Sequence, residues 1–146
     1  MPSYSTVCLD ASLIVRMFDP EFVEYVKVRE LWDIWHAQRM PLIAPSLLRY
    51  EVTNAVFRPV RLGLADADRA LNVLRSLDKF PIRYFDAIAL NVAAFEVARD
   101  LKLSAAYDAH YVALARQERA GLYTADIRLA NAASSKFPFV RYVMDE

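Results

Sequence analysis

Four carboxylates stand where the surrounding residues make a charge either costly or strategic. Asp10 and Asp126 each close a short β-rich run, "TVCLD" and "LYTAD", and each precedes a helical pattern. Glu51 lies in "PSLLRYEVTNAVF", where Leu47, Glu51 and Ala55 recur every fourth residue beside Leu48 and Val52. That spacing sets Glu51 on an apolar helix stripe, far from either helix end. Asp108, in "SAAYDAHYVALARQ" (104–117), has Tyr111, Val112 and Ala115 at i+3, i+4 and i+7, again the apolar stripe. An ionised carboxylate on a buried face is costly unless something compensates it.

Divalent metal chemistry combines these four. Hard Mg²⁺ or Mn²⁺ takes oxygen ligands and keeps several waters, so a few convergent carboxylates suffice. Two such ions about 3.5–4 Å apart activate a water and stabilise the leaving oxygen of a phosphodiester. This chemistry needs neither His, Cys nor a glycine loop. Cys8 is the lone cysteine, His36 and His110 are far apart, and the two glycines form no phosphate-cradling motif. A disulfide framework, a Cys- or His-rich zinc site and a P-loop are thereby excluded.

Plainer explanations compete at each position. Asp is a favoured N-cap, which suits Asp10, Asp126 and equally Asp86 in "RYFDAIAL". The strand–Asp–helix pattern alone does not choose two of those three. Asp108 follows Ser104 closely enough to complement a helix dipole, and Glu51 could be an exposed helical acid.

The elements that must position these residues are legible as an alternation of short apolar runs and helical patterns. Strands are expected at 4–9, 41–44, 79–85, 121–124 and 137–143. Helices are expected from Ala11 to Asp19-Pro20, and over 21–39, 46–60, 66–77, 86–101, 104–117 and 127–135, with Pro45 in the first turn of the third. Such alternation predicts an α/β domain with a mostly parallel sheet and helices on both faces. The carboxyl ends of parallel strands share one edge, where ligands usually bind, so Asp10 and Asp126 are expected there together. A chain of 146 residues is the length of one domain, and residues 1–146 are read as such. There is no secretory signal pattern and no run long enough to span a membrane, so a cytoplasmic protein is expected.

"VCLDASLIV", "LLRYEVTNAV", "SAAYDAHYVALA" and "LYTADIRLA", in this order and at these distances, resemble the PIN-domain family, most of all its VapC-type toxin ribonucleases. The resemblance spans residues 4–143. It implies a three-layer α/β/α sandwich around a five-stranded parallel sheet and a Mg²⁺- or Mn²⁺-dependent ribonuclease site. The family's acidic quartet falls on Asp10, Glu51, Asp108 and Asp126, and its supporting small hydroxyls on Ser12 and Thr124. Asp86 has no counterpart and is read as an N-cap. His110 and Ile127 depart from the family pattern, with Arg128 following; His110 is read as a packing or interface residue.

The resemblance further implies an RNA substrate, a cognate antitoxin and a homodimer. Lys+Arg and Asp+Glu balance at 18 each, so nucleic acid would be held by a local basic strip rather than by global charge. Arg49, Arg58, Arg61, Arg69, Arg75, Lys79 and Arg83 offer such a strip. Phe18, Phe22, Trp32, Trp35 and Phe57 offer a partner surface, or simply core. Two alternatives remain open here: a catalytically weak binding module acting through a protein partner, and a DNA-directed nuclease.

Overall fold

The fold grows outward from three short, wholly apolar or nearly apolar strands. In the computed structural model, which describes residues 3–146, β1 (Val7–Leu9) has no solvent contact, and β2 (Leu42–Pro45) and β4 (Gly121–Thr124) are nearly as deep. They join β3 (Ile82–Phe85) and β5 (Val140–Tyr142) in a parallel sheet of order β3-β2-β1-β4-β5. Strands buried on both faces carry no polar alternation, which is why they read as continuous apolar runs.

Among the described residues seven α-helices cover the sheet: α1 (Ala11–Met17), α2 (Tyr25–Ala37), α3 (Leu47–Arg61), α4 (Ala67–Lys79), α5 (Ile88–Leu101), α6 (Ala109–Gln117) and α7 (Ile127–Ala133). Helices α1 to α4 pack against one another, and α5 packs on α6. Right-handed crossovers place the connections that step towards β3 on one face and those that return through β4 to β5 on the other. The result is the three-layer α/β/α sandwich. Helix α6 is buried almost all round, from Ala109 through Ala115, because it lies between the sheet and α5. With few glycines available, Arg39, Lys102 and Arg119 take the left-handed conformation just after α2, α5 and α6. Among the described residues no helix is long and apolar enough to cross a membrane.

Several boundaries differ from expectation for local reasons. Pro45 ends β2, and Ser46 stands before α3, whose first helical residue is Leu47. Residues 104–108 form turns rather than the start of α6, so Asp108 is the residue immediately before that helix. Asp86 is exposed and caps nothing; Ala87 holds the N-cap position of α5. The N-terminal aromatics are largely core. Trp32 and Phe18 pack on Phe80, and Trp35 meets Tyr123 edge-on, while Phe57 remains exposed.

Candidate active site

Because β1 pairs with β4 in the register Leu9–Tyr123, the chain leaves both strands side by side at the sheet's carboxyl edge. Asp10 follows β1 and caps α1, its Oδ1 accepting from Ser12 N at 3.2 Å. Asp126 follows β4 and caps α7, its Oδ1 accepting from Arg128 N at 2.9 Å. The two turns are wired together. Ser12 Oγ and Thr124 Oγ1 both donate to Asp10 Oδ2, the former at 3.0 Å. Ser12 Oγ in turn accepts from Ala125 N, and Thr124 Oγ1 from Asp126 N, each at 2.9 Å. Capping alone asks for one such bond. Asp10 is 5% exposed and has three, none from a cation.

Glu51 sits on α3 where Leu48 and Val52 are fully buried, and is itself half-buried at the margin of that face. The hydroxyl of Tyr111, a fully buried residue of α6, donates to Glu51 Oε1. Asp108 is half-buried, in helical backbone conformation, and its carboxylate makes no capping bond to α6. Asp10, Ser12, Glu51, Asp108 and Asp126 line one open cleft of about 510 Å³, whose walls also include Arg16, Asn54, Arg58, Tyr107 and Arg128. Thr124 lies buried beneath it.

The electrostatics are those of acids gathered without enough counter-charge. Burial pushes Asp10 above the usual carboxylate range, against the pull of Thr124 and Ser12, and Asp126 adds to the rise. Burial likewise raises Glu51, partly offset by the Tyr111 hydrogen bond and reinforced by Asp10 and Asp108. Asp108 is pushed up to about 6 by burial and then by Asp10 and Asp126, with Arg128 opposing. Arg128 pairs with Asp126 at 3.3 Å but is itself fully exposed, so it screens weakly.

A hard divalent cation fits this donor set: every group is an anionic oxygen, and three of the four gain from added positive charge. Among the described residues no three His, Cys, Asp or Glu side chains are drawn into a ready-made cage. Mutual repulsion holds such acids apart, and Mg²⁺ binds through one or two carboxylates plus waters rather than through a full protein cage.

Other expected contributors fall elsewhere. Of the seven residues of the basic strip, Arg58 lines the cleft. Arg49 stacks on Tyr84 and Arg83 on Phe85, towards the β3 edge. The cleft's other cations, Arg16 and Arg128, were not in that strip. Arg16 lies with its guanidinium 4.1 Å over Phe22 and Nε 3.8 Å from Glu24 Oε2. Helical spacing places Tyr111 on the apolar stripe and gives it no other role. Its hydroxyl on a buried stripe, three residues after Asp108, was the available signal, since a buried phenol requires a partner.

Comparison with known proteins gives a consistent picture. The model of the family described as "PIN domain" matches residues 7–134. Ribonuclease VapC3 of Pyrobaculum aerophilum is 34% identical over 136 residues, covering 89% of this chain and 93% of that protein. The crystal structure of PAE2754 from Pyrobaculum aerophilum superposes with a TM-score of 0.69 at 24% identity, covering 96% of this chain and 92% of that one. Mycobacterium tuberculosis VapC20, described as a sarcin-ricin loop cleaving toxin, gives 0.67 at 16% identity, covering 88% and 95%.

Proposed function

The chain belongs to the PIN-domain family and, within it, to the VapC-type ribonucleases, and from that premise we propose that it is a divalent-metal-dependent endoribonuclease, the toxin of a toxin–antitoxin pair. The observation that carries the proposal is the cleft in which Asp10, Glu51, Asp108 and Asp126, drawn from four separate elements, converge with raised carboxyl pKa values at three of them.

In this reading the four carboxylates hold Mg²⁺ or Mn²⁺, directly or through water. Such an ion supplies polarisation of the phosphoryl oxygen and acidification of a water for attack on phosphorus. The protein's own groups do the rest. Ser12 and Thr124 fix Asp10 Oδ2, and Tyr111 fixes Glu51 Oε1. Arg16, Arg58 and Arg128 at the cleft walls hold flanking phosphates, and the exposed ring of Tyr107 offers a stacking face for an unpaired base. A covalent route has no candidate in Cys8, which is fully buried with its thiol pushed far up by burial.

The cognate antitoxin is the proposed protein partner. Its docking surface is drawn from the exposed Phe57, Leu62, Leu64 and Leu71 around the α3–α4 turn rather than from the core aromatics. A homodimer, a cytoplasmic location and a single domain over residues 1–146 complete the proposal. The test is cleavage of structured and unstructured RNA by wild type and Asp10→Asn, with Mg²⁺, Mn²⁺ or EDTA. Metal-dependent cleavage lost in Asp10→Asn supports the assignment; full activity in EDTA or in the variant refutes it. Cleavage of DNA in preference to RNA refutes the substrate.

A further inference from the structure

His110 lies two residues beyond Asp108 and takes no part in the cleft, yet its ring is fully engaged. Nδ1 lies 2.8 Å from the carbonyl oxygen of Ala106 and 3.2 Å from that of Tyr107. Nε2 lies 3.0 Å from Nδ2 of Asn91 on α5. Two carbonyls can only accept, so Nδ1 carries the proton and donates; Nε2 is left to accept from the Asn91 amide. Partners on both ring nitrogens therefore fix one ring orientation. The ring joins three pieces of chain: helix α6, the turn at 104–108 and helix α5.

The two carbonyls that His110 holds belong to the residues just before Asp108. Asp108 needs that support. It lies outside α6, and its carboxylate makes no capping bond. Ser104, Ala105 and Tyr107 of the same turn are exposed, so little packing fixes them. Asp10 and Asp126 meanwhile repel it. The backbone of the turn therefore determines where this carboxylate points.

We propose that His110, oriented by Asn91, is a positioning residue for Asp108: the clasp on the Ala106 and Tyr107 carbonyls holds the 104–108 turn so that Asp108 meets Asp10, Glu51 and Asp126 in one cleft. The proposal rests on the reading of that cleft as a divalent-cation site. Ligand-orienting partners that do not touch the metal typically contribute about 10–100-fold to its affinity.

The decisive comparison exploits isosteric replacement. His110→Asn retains an N–H near the Nδ1 position, whereas His110→Gln retains an amide near Nε2 alone. Mn²⁺ affinity of the metal-free protein is measured by calorimetry, with melting temperature recorded for each variant. His110→Ala and His110→Gln are expected to weaken Mn²⁺ binding about 10–100-fold. His110→Asn is expected to recover most of that loss, and Asn91→Ala to show a smaller one. A role confined to packing would lower the melting temperature and leave Mn²⁺ affinity unmoved. If His110→Ala fails to fold, the Asn–Gln pair still decides. Equal affinity in those two variants, or wild-type affinity in His110→Ala, overturns the clasp while leaving the nuclease reading intact. Absence of Mn²⁺ binding by the wild type overturns both.

Discussion

Asp108→Asn should make the metal-free protein more stable at neutral pH, and by an amount that depends on pH in a specified way. The carboxyl of Asp108 rises from 3.8 to about 6 on folding. A shift of that size is equivalent to about 3 kcal/mol if nothing screens it. Asp108 retains solvent contact and Arg128 opposes the rise, so ~1–2 kcal/mol is the realistic figure. The sign follows from proton binding. Below pH ~4 the group is protonated in both folded and unfolded chains, so the substitution gains nothing from this source. Between pH ~4 and ~6 the unfolded chain releases its proton first, and the folded state falls in relative stability as pH rises. Above pH ~6–7 the full penalty is present, and the neutral amide removes it. For a domain of this length the gain corresponds to a rise of ~3–6 °C in melting temperature. Thermal melts of both proteins in EDTA from pH 4 to 8 measure it. Added Mn²⁺ should then raise the melting temperature of the wild type well above that of the variant, because a ligand stabilises the state that binds it. A gain of equal size at pH 4 and pH 7.5 would show that charge is not its origin. No gain at all would show that the acids are already compensated.

Three further outcomes follow from the same geometry. Thr124→Val removes the hydroxyl that donates to Asp10 and accepts from Asp126 N, and should cost about 2–3 kcal/mol in urea denaturation at pH 7. Tyr111→Phe leaves the volume of α6 intact but frees Glu51 of its donor, so its carboxyl should titrate still higher; NMR titration of metal-free protein reads this directly. Arg58→Ala and Arg128→Ala, made in an Asp10→Asn background to prevent cleavage, should each weaken RNA binding and reduce the salt slope by about 1, measured by fluorescence anisotropy.

What was legible in the sequence was whatever depends on near neighbours. Asp10 and Asp126 follow apolar strands directly, so their position at the sheet's carboxyl edge is written locally; their mutual proximity needs only the pairing of β1 with β4. Glu51 was also legible, because helical spacing ties it to Leu48 and Val52. Asp86 shows the limit of the same logic. Its strand–Asp–helix pattern matches that of Asp10, yet α5 starts one residue later than the pattern implies, and β3 is an edge strand. Asp108 lies at the cleft, but not for the reason its spacing implies. The apolar spacing continues back through 104–107, while the helix does not: Tyr107 O accepts from His110 N in a tight turn, and the His110 ring also reaches the carbonyls of Ala106 and Tyr107. The Tyr111–Glu51 and His110–Asn91 pairs join residues 60 and 19 positions apart, and no local pattern announces either. Most of the basic strip lies outside the cleft, which sequence proximity does not reveal. Arg58 alone of that strip lines the cleft, which gathers Arg16, Arg58 and Arg128 from three elements.

The central claim is that Asp10, Glu51, Asp108 and Asp126 act together as one divalent-cation site. Calorimetric titration of Mn²⁺ into metal-free wild type and into Asp10→Asn, Glu51→Gln, Asp108→Asn and Asp126→Asn tests it most directly. The account predicts saturable binding to the wild type and weakened binding in all four variants, each of which stays folded. Wild-type affinity in any one variant would remove that residue from the site, and wild-type affinity in all four would contradict the account.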